Sequence, residues 1–260
     1  MIKNVIENVI VRRPCKNFAE GITASGLGKP DYELALRQHD GYIEIFRKCG
    51  CNVMVLNADE RYPDSTFVED VAIVTEKCAI LTKPGADSRR GEELEIADAL
   101  KNFYDKIEYL TDDACLDGGD ILRVENHFYI GLSARTDSEG AGQLTRVLNK
   151  YGYTASTVPV KQFLHLKTGV VYIGNNTLVA AGEFLDNTIF KDFNIIRVDE
   201  DEAYAVNCIT VNGFLMIPKG FKKTKKALLD SGYEIIEVEM SEFEKMDGGL
   251  TCLSLRIPGI

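Results

Sequence analysis

No stretch of this 260-residue chain approaches the roughly 20 consecutive apolar residues that a membrane-spanning helix needs. Positive charge is also in short supply. The 30 Lys and Arg stand against 40 Asp and Glu, a formal net charge of −10. That balance argues against nucleic acid or an anionic membrane surface as partner, since both call for a basic footprint. It is compatible with a cationic substrate, but acidic surfaces usually serve only solubility. A disulfide framework is missing too. The seven cysteines (Cys15, Cys49, Cys51, Cys78, Cys115, Cys208 and Cys252) are odd in number and irregular in spacing, which fits a reducing cytoplasm. Cys49-Gly50-Cys51 is the one close pair, and it lacks a second Cys/His pair nearby. A structural zinc site is therefore not expected. Met1–Pro14 carries Glu7, Arg12 and Arg13 and lacks the apolar core of a signal peptide. No linker rich in Pro, Ser or charge interrupts the chain, so residues 1–260 read as one α/β domain with a sizeable core.

What is present is a repeated unit. Four pairs of short apolar runs flank tight turns: Ala72–Val74 with Ala79–Leu81, Ile121–Val124 with His127–Ile130, Val170–Ile173 with Thr177–Ala180, and Ile209–Val211 with Phe214–Ile217. Most of the turns hold Asn or Gly, which tolerate positive φ, so each pair reads as a β-hairpin. A helical pattern and another short strand follow: Arg90–Asn102 then Lys106–Tyr109, Glu139–Tyr151 then Thr154–Val158, and Lys222–Ser231 then Glu234–Val238. After the third hairpin the helix is expected to be short, near Glu183–Phe190. The turn centres are about 50, 50 and 37 residues apart, spacing that suggests a repeat architecture. A first unit would comprise Val9–Arg12, a helix over Asp31–Cys49 and the strand Asn52–Leu56, with Ser254–Ile257 lent from the C-terminus. Five such ββαβ units around an axis would leave a central channel; a mixed α/β sandwich is the plainer alternative. Glu20–Pro30, with Gly21, Gly26 and Gly28, reads as a mobile lid loop.

Three residue types suggest covalent chemistry on a cation. Cys252 follows Asp247-Gly248-Gly249, and two glycines let a backbone approach a ligand closely. His165 is one of only three histidines. Asp64, Glu69 and Asp70 cluster within seven residues. A guanidinium spreads its charge over planar N–H donors, which fixed carboxylates match. Its carbon is a poor electrophile, so attack calls for a thiolate, and a bound cation favours the thiolate. The departing amine is strongly basic and needs a proton, which His165 can supply and later recover from water. Asp117, in Asp117-Gly118-Gly119-Asp120, suits the carboxylate that orients the imidazole. In an extended segment Glu69 and Asp70 face opposite sides, so one acid can serve the site while the other supports a loop. Arg89 and Arg135 sit in loops after hairpins and suit a carboxylate clamp. Each residue also has a plain structural reading: a solvated acidic loop, a turn aspartate, a packed histidine, an inert buried thiol, two surface ion pairs.

Taken in order, Gly21-Ile22-Thr23, Phe67-Val68-Glu69-Asp70, Ser88-Arg89-Arg90, Asp117–Asp120, Phe128–Gly131 with Ser133–Thr136, His165–Gly169 and Asp247 through Cys252 resemble the dimethylarginine dimethylaminohydrolase family of the guanidino-group-modifying superfamily. The resemblance spans essentially the whole chain. It implies a five-bladed α/β propeller of ββαβ repeats, the pentein fold, with the site in the central channel. It implies cofactor-free hydrolysis of asymmetric dimethylarginine or monomethylarginine to citrulline and an alkylamine. By position, Cys252 is similar to the nucleophile, His165 to the acid/base and Asp117 to its supporting acid, where some members have Glu. Asp70 matches the principal guanidinium receptor; Asp64, Glu69 and Asp247 match further acids of the pocket. Arg89 and Arg135 match the carboxylate clamp. Ile22 stands where the lid usually has Leu. The expected partner is a small guanidino amino acid, and a homodimer is compatible with the sequence. Arginine deiminases share the same reacting groups and differ in leaving group, which keeps unmodified arginine as the alternative substrate. Guanidine binding without turnover and amidino transfer to an amine are further alternatives.

Overall fold

The protein is described by a computed structural model covering residues 5–111 and 113–259. The chain runs β1 (Ile6–Arg12), α1 (Tyr32–Lys48) and β2 (Asn52–Leu56); then β3 (Ala72–Val74), β4 (Ala79–Leu81), α2 (Glu93–Leu100) and β5 (Ile107–Tyr109). A third unit holds β6 (Ile121–Val124), β7 (His127–Leu132), α3 (Ser138–Lys150) and β8 (Thr154–Pro159). The single-turn α4 (Leu166–Gly169) leads into β9 (Val170–Gly174), β10 (Thr177–Ala180) and β11 (Asn194–Arg197). The fifth unit is β12 (Ile209–Val211), β13 (Phe214–Pro218), α5 (Lys222–Asp230) and β14 (Glu234–Val238), followed by α6 (Ser241–Glu244) and β15 (Leu255–Pro258).

These strands form five three-stranded sheets, and β15 joins β1 and β2 to complete the first. In every sheet the first pair is antiparallel and the second parallel. The architecture is a five-bladed α/β propeller. C-terminal strand β15 pairs antiparallel with β1, as expected from Ser254–Ile257, so the chain closes its own ring.

Local chemistry explains the repeat. Glu125, Asn175, Asn176 and Asn212 take positive φ in the later hairpins, the backbone such turns need. The β3–β4 turn uses a side chain instead: Thr75 Oγ1 accepts the N–H groups of Lys77 and Cys78, both at 3.1 Å. Helix α1 starts at Asp31, whose carboxylate accepts the Leu34 N–H at 2.7 Å. Its Ala35, Tyr42, Ile43 and Phe46 are buried at helical spacing. Asp137 caps α3 in the same way through the Gly140 N–H at 2.7 Å.

The helix expected near Glu183–Phe190 is instead two 3₁₀ turns, Gly182–Phe184 and Thr188–Phe190. Gly182 at φ 51° and an Asn187 side chain that caps the Ile189 N–H break the segment. Phe184 and Phe190 are both fully buried there and pack at 6.3 Å between ring centroids.

Residues from all five sheets line one axial channel of about 1620 Å³. Its inner end is formed by Glu69, Gly118, Lys167, Ser254 and Arg256. No helix among the described residues is long and apolar enough to cross a membrane.

Candidate active site

One short turn precedes the first strand of each sheet. These turns are Val68–Val71, Gly118–Asp120, Leu166–Gly169, Glu200–Val206 and Thr251–Leu253. The propeller brings them together at one end of its axis, and four of the five carry Asp70, Asp117, His165 and Cys252 in or beside them. A small pocket of about 30 Å³ is lined by Asp70, His165 and Cys252, by Arg89 and Arg135, and by Ile22, Asp64 and Asp247 among others.

His165 and Asp117 form a buried pair, with Nε2 and Oδ2 3.0 Å apart. Asp117 Oδ1 accepts the Gly85 N–H at 2.8 Å, and Arg135 Nη1 lies 3.5 Å from Oδ2. Asp70 accepts the Gly119 N–H at 2.9 Å and pairs with Arg89 Nη1 at 2.6 Å. Glycine is required at 119, because a Cβ there would meet His165 Nδ1 at 2.7 Å and Asp70 Oδ1 at 2.9 Å. Asp70, Asp117 and His165 thus bring one ligand-type atom each within 4.8 Å of one another. A cation could sit among them, and the imidazolium of His165 supplies that charge itself. Burial disfavours the imidazolium, but Asp70, Asp117 and Asp120 together outweigh it and raise the His165 pKa to about 9. The buried Asp117 is held below the usual carboxylate range despite its desolvation, chiefly by His165.

Cys252 lies on the Thr251–Leu253 turn, and the Gly249 N–H points at its Sγ from 3.4 Å. Asp247 starts this segment at φ 56°. Burial, then the carboxylates of Glu69 and Asp70, push the Cys252 thiol up to about 12. At neutral pH the site therefore holds a thiol beside an imidazolium.

Asp64 and Asp247 meet the lid. Both oxygens of Asp64 accept the Ile22 N–H at 3.1 Å, and Asp247 Oδ2 accepts the Ala24 N–H at 2.5 Å. Ser25 Oγ donates to the Lys245 carbonyl at 2.7 Å. The Glu20–Pro30 loop is thus tied down over the pocket, and Ile22 remains 42% exposed. A cavity of about 30 Å³ holds on the order of two waters, less room than an amino acid needs.

Glu69 goes elsewhere. It lines the channel, not the pocket. Its carboxylate accepts from Lys167 Nζ, Arg256 Nη2 and Thr251 Oγ1, each at 2.6 Å. Burial opposes its ionisation, but Lys167 and Arg256 hold its pKa below the usual value. This ion-paired cluster is the floor between pocket and channel. Arg89 is fully inside as well, and Glu92 binds its guanidinium at 2.8 Å beside Asp70.

Sequence reasoning missed Glu92, Lys167, Arg256 and Asn207. Asn207 Oδ1 accepts the Thr251 N–H at 2.8 Å while Nδ2 donates to the Lys167 carbonyl at 3.2 Å. It sits beside the short turn of the fifth blade, as Asp70, Asp117, His165 and Cys252 sit in or beside those of the other four. Its position just before a hairpin was the available signal.

Similarity to known proteins runs the length of the chain. The sequence profile described as "N,N dimethylarginine dimethylhydrolase, eukaryotic" matches residues 28–257. The chain is 46% identical to the N(G),N(G)-dimethylarginine dimethylaminohydrolase of Pseudomonas aeruginosa, over 97% of its own length and 100% of the relative. It is 33% identical to the Streptomyces coelicolor enzyme of that name, over 96% and 97%. A solved structure of the Pseudomonas aeruginosa enzyme, a Cys-to-Ser variant complexed with citrulline, superimposes with a TM-score of 0.96 at 46% identity, covering 97% of this chain and 100% of that one. The N-terminal domain of ArgZ, a cyanobacterial arginine dihydrolase, matches at a TM-score of 0.86 and 19% identity, over 96% and 97%, a likeness of fold alone. This chain belongs to the dimethylarginine dimethylaminohydrolase family.

Proposed function

We propose that the protein hydrolyses Nω-methylated L-arginine, that is asymmetric dimethylarginine or monomethylarginine, to L-citrulline and dimethylamine or methylamine. The observation that carries the reading is the buried Asp117–His165 pair, whose imidazole lines a pocket with Cys252, Asp70 and two arginines. The family relatives support it by name, and one structural relative is a variant complexed with citrulline.

The roles follow from charge. The substrate guanidinium lies against Asp70, and its α-carboxylate reaches Arg89 and Arg135. A cation beside Cys252 counters the carboxylates that raise its pKa, so the thiol ionises once substrate is bound and its proton passes to solvent. The thiolate attacks the guanidinium carbon. His165, already an imidazolium, protonates the alkylated nitrogen as the C–N bond breaks and the amine departs. A thiouronium remains on Cys252. Neutral His165 then takes a proton from water, and the resulting hydroxide attacks the same carbon. The C–S bond breaks, citrulline leaves, and both thiol and imidazolium are restored. Asp117 keeps the ring oriented and its charge balanced throughout. Asp64 and Asp247 act on the substrate by fastening the lid that excludes bulk water. Residues 1–260 act as one catalytic unit in this reading. The described cysteines are all free thiols, which supports a cytoplasmic setting.

The test is an assay of citrulline and amine over a panel of guanidines. Equimolar citrulline and dimethylamine from asymmetric dimethylarginine is the expected result. A preference for unmodified arginine with release of ammonia would make the protein a deiminase instead.

A further inference from the structure

Asp120 takes no part in the steps above, yet it is fully buried and bonded on both oxygens. Oδ1 accepts the Leu166 N–H at 2.9 Å, one residue beyond His165. Oδ2 accepts Ser133 Oγ and Thr136 Oγ1, both at 2.7 Å. The two hydroxyls pass the connection on. Ser133 Oγ accepts the Arg135 N–H at 2.9 Å, and Thr136 Oγ1 accepts the Asp117 N–H at 3.2 Å. A hydroxyl has one hydrogen. Here each gives it to Asp120 and turns a lone pair to a backbone N–H, so the direction of every bond depends on Asp120 as an acceptor. Gly131 makes room for the group, since a Cβ there would lie 2.6 Å from Asp120 Oδ1.

We propose that Asp120 is a positioning residue for the hydrolase reaction: one carboxylate fixes His165, its partner Asp117 and the clamp residue Arg135 in a common register. The proposal rests on the function assigned above for its kinetic consequences, but not for its structural ones. Three loops from two blades meet on Asp120, so the acid/base and the carboxylate clamp move together or not at all. Its charge also acts on the imidazole directly and favours the protonated form. The amide of Asp120→Asn keeps the shape, loses the charge, and places an NH₂ against donors that need an acceptor.

Two measurements separate this role from a structural one. In Asp120→Asn, the His165 imidazole, followed by NMR, should titrate at lower pH than in wild type, and kcat should fall by about 10- to 100-fold. In Ser133→Ala, which cuts the link to Arg135 but leaves the charge, KM should rise by about 5- to 10-fold, with the His165 titration unmoved. A folded Asp120→Asn protein with an unchanged His165 titration overturns the proposal. If Asp120→Asn does not fold, Ser133→Ala decides, and an unchanged KM there overturns it. Wild-type protein that makes no citrulline from any methylarginine would refute the assigned reaction. The NMR comparison would still judge Asp120.

Discussion

Glu69 and Asp70 are consecutive acids on one 3₁₀ turn, both almost wholly buried, and they face opposite sides of the floor between channel and pocket. On the channel side, Glu69 meets two cations, Lys167 and Arg256, and a hydroxyl. Its charge is fully answered within the chain. On the pocket side, Asp64, Asp70, Glu92, Asp117, Asp120 and Asp247 stand around only two guanidiniums and the imidazolium of His165. That end is short of positive charge, and a methylarginine at neutral pH brings a guanidinium. The floor is therefore built to hold the fold together, and the pocket is built to be completed by its ligand. Burial of a charge serves stability only where a partner is already present.

Removing each acid in turn gives the sharpest contrast. Asp70→Asn should lower kcat/KM by about 10²- to 10³-fold, because a buried cation receptor is lost, and should cost less stability than the loss of Glu69, because Arg89 keeps Glu92 as its partner. Glu69→Gln should do the reverse. It strands Lys167 and Arg256 without their counter-charge, at a cost of about 3–5 kcal/mol, seen in chemical denaturation. It should also lower the Cys252 thiol pKa, since Glu69 is one of the groups that raise it, and alkylation rate against pH would show this. Equal effects of the two substitutions would break the comparison.

His165 makes the pocket end pH-sensitive. Its folded pKa of about 9 lies above the ordinary 6.5. Its stabilising contribution is full below pH 6.5 and is lost as pH rises to about 9. Wild type should thus lose on the order of 3 kcal/mol relative to His165→Gln across that window. A flat difference would mean that the imidazole is neutral in the folded protein. The smallest effect belongs to the far end of the channel. Asn175→Gly, at a hairpin residue with φ 51°, should shift Tm by no more than about 3 °C and leave kcat/KM unchanged.

Much of this was legible in the sequence, and the reasons differ by residue. Hairpins announce themselves through short apolar runs and Asn or Gly turns, so blades two to five could be placed, and the C-terminal strand could be assigned to the first. The 183–190 segment misled because its apolar spacing resembles a helix, while Gly182 and Asn187 break the backbone. Cys252, His165 and Asp117 lie in local motifs, and the structure gathers these motifs at one end of the axis. The opposed sides of Glu69 and Asp70 were expected from an extended segment, whereas the structure reaches them from a 3₁₀ turn over Val68–Val71. Arg256 was not found as the partner of Glu69, because the two are 187 residues apart and only ring closure by β15 joins them. Glu92 was hidden differently: a surface-like acid in a charged run becomes a buried partner of Arg89.

The central claim is that Cys252 attacks the guanidinium carbon of a bound methylarginine. Acid quench during turnover of asymmetric dimethylarginine, followed by mass spectrometry of the peptide holding Cys252, tests it most directly. The account predicts a thiouronium on Cys252 that forms and decays with citrulline production and is absent in Cys252→Ser, which should be inactive. Citrulline formation by Cys252→Ser at a rate near that of wild type would contradict it.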